Sequence, residues 1–148
     1  MEIIVHVGFG NVTLGMTKDE LRHALGHPDI VDSAQEGLEC WIYESLGINC
    51  DFHIEDEGRL STVTFERPDW TLNGKIIIGK SNEHLLELKE EGILPDLKLT
   101  EKFDFWDACE YECEKLGITF WITEGQVDSL TMYPLFDSEG NRQFWPFG

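Results

Sequence analysis

Glu44-Ser45-Leu46-Gly47-Ile48 and Glu114-Lys115-Leu116-Gly117-Ile118 carry one pattern, E-x-L-G-I, in the two halves of the chain. The first copy leads into Asn49-Cys50-Asp51-Phe52-His53-Ile54, an acidic turn at Asp56-Glu57-Gly58, and the run Arg59 to Phe65. The second leads into Thr119-Phe120-Trp121-Ile122, a turn at Glu124-Gly125, and the run Gln126 to Met132. Each copy reads as an alternating strand, a Gly-containing turn and a second alternating strand. A recurring unit of this kind is read before anything else, because it fixes the architecture.

Working outward, each half also opens with a capped helix. Thr17 and Glu20 form an S/T-x-x-E capping box, and Met16, Leu21, Ala24 and Leu25 share one apolar face. Gly26 ends that helix and Pro28 prevents its return. In the second half Ser81 caps a helix through Leu85, Leu86, Leu88 and Lys89, closed near Gly92 and followed by Pro95. Asn73-Gly74 marks a two-residue hairpin between Trp70-Leu72 and Lys75-Ile78. Ile3–Val7 and Val12–Leu14 read as short strands around a Gly8–Asn11 turn, residues 29–39 as a polar connection, and Cys40–Leu46 as a strand. Residues 103–113 fit both periods, and the repeat favours strand from about Glu110. The aromatic tail is expected to fold back as a hairpin over Ser138-Glu139-Gly140-Asn141. The expected fold class is α+β: two tandem repeats, residues 1–68 and 69–148, each a short helical segment on an antiparallel sheet, together one compact unit.

The charge balance is the outlier. Twenty-nine acidic residues against 11 basic ones give −18 over 148 residues. Such a field repels nucleic acid and anionic membranes and steers cationic partners. The N-terminus lacks the basic n-region and long apolar run of a secretory signal, and no window reaches the ~20 apolar residues of a membrane span. A cytoplasmic location is the expectation. Cys40, Cys50, Cys109 and Cys113 form no C-x-x-C, and the expectation is free, mostly buried thiols in strands.

Catalytic signatures are missing from the sequence: no G-x-S-x-G, H-E-x-x-H, P-loop or G-x-G-x-x-G. Glu20, His23 and His27 are the best metal constellation, but His27 lies beyond the helix-ending Gly26. Asp51, His53 and Glu55, beside Asp56 and Glu57, could do general acid–base work or hold a ligand, yet no nucleophile or oxyanion donor can be placed with them. Cys109 and Cys113 have no zinc-site partner. No cofactor is expected. The aromatics say more. If Ile48, Phe52, Ile118 and Ile122 face the helices, Trp121 joins Asp51, His53 and Glu55 on the opposite side of the sheet. Trp41 and Tyr111 are expected there too, with Tyr43. A face mixing Trp, Tyr and carboxylates has the composition of a surface for a basic protein partner.

Gly15-Met16-Thr17-Lys18-Asp19-Glu20-Leu21-Arg22-His23-Ala24-Leu25-Gly26-His27-Pro28, followed by W-x-Y and L-G-I, resembles the repeat of the SmpA/OmlA outer-membrane lipoprotein domain and of the β-lactamase inhibitor protein fold. The matching positions are Gly15, Met16, Thr17, Leu21, Leu25, Gly26 and Pro28. The second half keeps only Gly79, Ser81, Leu85 and Gly92. The resemblance implies a binding module that uses its sheet face, although the lipobox of the lipoproteins is missing. Size, acidity and the lack of a catalytic set also resemble bacterial toxin-immunity proteins, which neutralise basic toxins. The resulting expectation is a non-catalytic immunity-type inhibitor that occludes a basic partner, possible toxin included, through Trp41, Asp51, His53, Glu55, Tyr111 and Trp121. The alternatives are a small metal- or ligand-binding domain or enzyme built on Asp51/His53/Glu55, and a structural domain of a larger assembly.

Overall fold

The computed structural model describes residues 1–136 and 145–146. The expected hairpin over Ser138–Asn141 lies outside the described residues. The fold is α+β, and the described residues form two α-helices, one large antiparallel sheet and two small sheets. In chain order the elements are β1 (Glu2–Ile3), β2 (Gly8–Phe9), β3 (Val12–Thr13), α1 (Lys18–Leu25), β4 (Ile30–Asp32), β5 (Leu38–Tyr43), β6 (Ile48–His53) and β7 (Leu60–Phe65). There follow β8 (Thr71–Leu72), β9 (Lys75–Ile76), α2 (Asn82–Glu90), β10 (Lys98–Phe103), β11 (Ala108–Cys113), β12 (Ile118–Thr123) and β13 (Gln126–Met132).

The large sheet has eight strands in the order β10-β11-β12-β13-β7-β6-β5-β4. It consists of two four-stranded meanders joined by one antiparallel seam between β7 and β13. Only three rungs make the seam: Val63 opposite Met132, Thr64 opposite Thr131, and Phe65 opposite Leu130. Because β7 and β13 run antiparallel, the β6–β7 and β12–β13 turns lie at opposite ends of the sheet.

Alternation puts Ile48, Cys50 and Phe52 of β6 on one buried side. The same side carries Val63 and Phe65, Leu130 and Met132, and Ile118, Phe120 and Ile122. Both helices join this inner side. The Arg22 guanidinium lies 5.2 Å from the Trp41 ring and Lys18 Nζ 5.6 Å from that of Phe52, while Leu21, Leu85 and Leu88 enter the core. An aromatic cluster fills the centre: Phe9, Phe65 and Trp70, with ring centroids 4.9–5.5 Å apart. Each helix starts as its sequence dictates. Thr17 and Glu20 exchange the two hydrogen bonds of a capping box, and Ser81 Oγ accepts from His84 N.

The E-x-L-G-I stretches are the tight turns between β5 and β6 and between β11 and β12. So Glu44–Leu46, expected to prolong a strand, belong to a turn. Both turns are closed alike. Glu66 N donates to Gly47 O and Tyr133 N to Gly117 O, each at 2.9 Å. Asp29 accepts from Glu44 N at 2.7 Å, and Asp96 from Lys115 N at 3.1 Å. Trp70 Nε1–H donates to Leu46 O at 2.7 Å, and the His6 ring to Lys115 O at the same distance.

The structure corrects several other expectations. The polar connection contains β4, and β10 was not foreseen; both are edge strands and mostly exposed, so neither shows the alternation that burial imposes. β11 begins at Ala108, two residues earlier than expected. The first strand stops at Ile3, because His6 at φ 64 turns the chain, and Gly8–Phe9 pairs with β3 rather than forming only a turn.

Gly47 and Gly117 both adopt left-handed φ, 64° and 66°. A Cβ at Gly117 would stand 2.6 Å from the backbone oxygen of Tyr133, whereas at Gly47 it would meet the Arg67 side chain, whose guanidinium donates to Ser45 O and Glu44 O. Gly47→Ala should therefore cost the left-handed penalty of about 1–2 kcal/mol plus the displacement of Arg67 from those two carbonyls. Gly117→Ala should cost clearly more, because backbone must move. Urea denaturation of both variants checks this, and equal losses would refute the backbone clash.

Candidate functional site

The other side of the sheet is polar and mostly half-buried, with Thr119 and Ser129 buried. On the β4–β7 half it carries Ile30, Ile42, Cys40, Asn49, Asp51, His53, Thr62 and Thr64. On the other half it carries Thr131, Ser129, Thr119, Trp121, Glu110, Glu112 and Lys98. Across the seam the hydroxyls of Thr64 and Thr131 are hydrogen-bonded at 2.8 Å. Trp121 reaches over β13, and its Nε1–H donates to Thr131 Oγ1 at 2.9 Å. One hydrogen-bonded run thus crosses three strands, and it fixes the indole on the face.

Beyond Trp121 the charge concentrates. Glu110 stands opposite Trp121 on one flank and opposite Glu101 on the other. Like charges directly opposite on neighbouring strands destabilise a sheet. Thr100 offsets part of this by donating to Glu110 Oε1 at 2.9 Å. One rung away, Glu112 lies between Lys98 and Thr119. Its carboxyl is held above the usual carboxylate range, first by burial and then by the hydrogen bond and charge of Glu114. Lys98 is already engaged by Glu114 at 3.1 Å. A Trp beside carboxylates that crowd one another suits a cationic group arriving from outside.

The structure divides the residues expected to form this face. Asp51 and His53 are on it, and Asp51 accepts from Thr62 Oγ1 at 3.3 Å. Glu55 is exposed in the 3-10 turn Ile54–Asp56, at the rim. Trp121 is on the face, three strands from Asp51. Trp41 and Tyr111 are not. Trp41 pairs with Cys50, points inward and is 3% exposed, with its Nε1–H donating to Glu39 Oε2 at 2.6 Å. Tyr111 pairs with Phe120 and packs against the core, and Tyr43 is buried and donates to Gly26 O. The four-residue turn sets this parity: Tyr43 falls opposite Ile48, so W-x-Y takes the inner side. Glu101, Glu110 and Glu112 were missed as site residues. For Glu110 and Glu112 the signal was the alternation Glu110-Tyr111-Glu112-Cys113-Glu114, which marks a strand with one acidic side, whereas Glu101, on a strand without a period, left none.

Among the described residues no three His, Cys, Asp or Glu side chains converge as a metal site. Glu20 is occupied by its capping box, and His23 and His27 are exposed. All four cysteines are free. Cys50 and Cys113 are buried; Cys40 faces the polar side, opposite Asp51, correcting its expected inward direction. Burial first, and then Asp51, push the Cys40 thiol up to about 12. Cys113 donates to Asp96 Oδ1 at 2.9 Å and is raised to about 11, chiefly by burial. Burial works against the Asp96 charge, but the hydrogen bonds from Cys113 and Lys115 outweigh it and hold that carboxyl below its ordinary range. Raised thiols of this kind are poor nucleophiles at neutral pH.

No family model matches the chain, and no curated protein sequence matches it. Among solved structures, an extracellular protein containing an SCP domain from Bacillus anthracis is similar over 82% of this chain and 44% of its own, at 11% identity and a TM-score of 0.51. A cysteine-rich secretory protein from Staphylococcus aureus is similar over 88% of this chain and 50% of its own, at 13% identity and a TM-score of 0.46. The chain spans half or less of each neighbour. The first likeness concerns the arrangement of the chain alone, and the second is too weak to carry argument.

The raised Glu112 carboxyl gives a pH dependence of definite sign. A carboxyl whose folded pKa lies above its unfolded value of 4.5 binds its proton more tightly in the folded state. Its ionisation at neutral pH therefore destabilises the fold, and the penalty fades as pH falls toward 4.5. Glu112→Gln should raise the melting temperature at pH 7, with a gain that shrinks on acidification. Thermal unfolding at pH 7 and pH 5 tests this; a loss at pH 7 would show that the charge is already compensated.

Proposed function

We propose that this protein is a non-catalytic acidic binding module. It consists of two tandem copies of a helix-plus-four-strand unit, residues 1–68 and 69–148, and docks a basic protein against the polar side of its sheet. The observation that carries the reading is the row Glu101–Glu110–Trp121, in which like charges sit opposite one another beside an indole fixed by Thr131. A sheet optimised for its own stability alone would separate those carboxylates. An arriving Lys or Arg would relieve their repulsion and lie over the Trp121 ring. The net charge of −18 would accelerate encounter with such a partner and make it salt-sensitive.

Support for the two-copy reading comes from the paired turn closures, and from the Thr17–Arg59 and Ser81–Gln126 bridges that tie each helix start to the last strand of its meander. The resemblance to the SmpA/OmlA and β-lactamase-inhibitor repeat agrees with binding through a sheet face. The most concrete form of the proposal is an immunity-type inhibitor, acting in the cytoplasm by steric and electrostatic occlusion of a basic toxin. The Bacillus anthracis neighbour is described as extracellular. The partner search should therefore use both cell lysate and culture medium.

The test is capture on the immobilised protein at low salt, elution by a salt gradient, and a binding measurement with the purified basic protein released. Glu101→Lys with Glu110→Lys should slow association by about tenfold or more, and Trp121→Ala should mainly speed dissociation. If both variants bind as the wild type does, the face is not the interface. If no basic protein is retained by the wild type, the proposal falls.

A further inference from the structure

The β10–β11 hairpin ends in Asp104-Phe105-Trp106-Asp107. Asp104–Trp106 form one 3-10 turn, and Asp107 closes it in the left-handed region at φ 47. Phe105 is 95% exposed and Trp106 71%; the next most exposed described aromatic ring is Phe136, at 41%. Two neighbouring rings projecting into water on a chain this acidic are not solubility devices. Exposed aromatic side chains of this size are characteristic of interaction anchors.

The projection is built to hold its shape. Phe103 pairs with Ala108 at its base, and Glu124 N donates to Asp107 O at 2.8 Å, tying it to the β12–β13 turn. The Trp106 ring lies 6.4 Å from that of Phe103 and 6.5 Å from that of Phe105 between centroids, so the three rings neighbour one another while Phe105 and Trp106 stay largely in water.

Its surroundings specify that partner's chemistry. Residues 98–114 carry Glu101, Asp104, Asp107, Glu110, Glu112 and Glu114 against Lys98 and Lys102, and Lys98 is taken by Glu114. A second copy of this chain would bring the same carboxylates to the contact, and an anionic lipid surface would be repelled. The projection continues the acidic row Glu101–Glu110–Trp121 along the same two strands.

We infer that Phe105 and Trp106 are the apolar anchor of the partner interface, inserting into an apolar pocket rimmed by Lys or Arg on a basic protein while the neighbouring carboxylates pair with that rim. The inference rests on the proposed binding function and names its hot spot. A buried aromatic pair at the centre of an interface governs the dissociation rate, whereas carboxylates at its rim govern encounter.

The probe is the purified basic protein retained by the wild-type chain in the salt-graded capture. Phe105→Ser with Trp106→Ser should weaken its Kd by roughly 30-fold or more, mostly through faster dissociation, with circular dichroism and melting temperature unchanged. Phe105→Leu with Trp106→Phe should recover most of that loss, because it restores apolar volume. A Kd within about twofold of wild type for the Ser variant would overturn the anchor and leave the acidic face standing. If the wild type retains no basic protein, the binding function and the anchor fall together. Concentration-dependent dimerisation of the wild type that the Ser variant abolishes would make a second copy the occupant, and would overturn the inference.

Discussion

The β7–β13 seam is the constraint on which the rest of the structure depends. Everything that makes the polar side one surface passes through three rungs, Val63–Met132, Thr64–Thr131 and Phe65–Leu130. Three rungs of backbone hydrogen bonding contribute only a few kcal/mol net. The inner side chains do the holding: Val63, Phe65, Leu130 and Met132 are fully buried, and Phe65 is packed against Phe9 and Trp70. Burying one such side chain stabilises by about 1.5–3 kcal/mol, so the cluster outweighs the ladder that it supports. Trp70 also donates to Leu46 O. The aromatic cluster therefore fixes the first E-x-L-G-I turn and the seam together.

With the seam fixed, the outer side inherits its geometry from the inner one. Alternation leaves Thr64 and Thr131 facing each other, and their hydroxyls satisfy each other and the Trp121 indole. A β-branched polar pair at this position keeps strand propensity without demanding burial. The carboxylates at β10 and β11 do the opposite. They sit at the edge of the sheet, where repulsion costs least. A charged edge also discourages edge-to-edge pairing with another chain, which explains part of the acidity without any partner. It does not explain why Glu101 and Glu110 are in register, nor why two bare rings close the same hairpin.

Sequence patterning revealed what burial dictates and lost what it does not. The helix starts at Thr17 and Ser81, the hairpin at Asn73-Gly74 and the alternation of β6, β7, β12 and β13 were legible, because caps, turn residues and half-buried strands each leave a local mark. β4 and β10 were not, since an edge strand exposed on both sides shows no period. Side assignment failed where it depended on a turn. The strand expected over Cys40–Leu46 left the side of Trp41 unfixed, and the four-residue turn Glu44–Gly47 places it in the core rather than on the polar side, with Arg22 over its ring. Trp121 was placed correctly because its own strand fixes its parity against Phe120 and Ile122. Glu110 and Glu112 were visible as a pattern, but their importance came only from Glu101, a neighbour on a strand the sequence did not disclose.

Positions at matched places in the two meanders separate architecture from use. On the inner side Ile48 answers to Ile118, Phe52 to Ile122 and Trp41 to Tyr111: large apolar groups throughout, differing only in shape. On the outer side Thr64 answers to Thr131 and Thr62 to Ser129, all hydroxyls, whereas Cys40 answers to Glu110, Ile42 to Glu112 and Asp51 to Trp121, pairs that share no chemistry. The core demands volume and apolarity from both halves, so it keeps them alike. Water demands neither an apolar Ile42 on one half nor a crowded Glu112 on the other. Were solubility the only requirement outside, both halves could carry the same dispersed charges. Carboxylates stand on both halves, Asp32, Asp51 and Glu66 about Cys40 on the first and Glu101, Glu110 and Glu112 on the second, but the accessible rings gather in the second half, from Trp121 to the β10–β11 turn. On the proposed two-copy reading, one half supplies recognition while the other, through the seam, holds it in place.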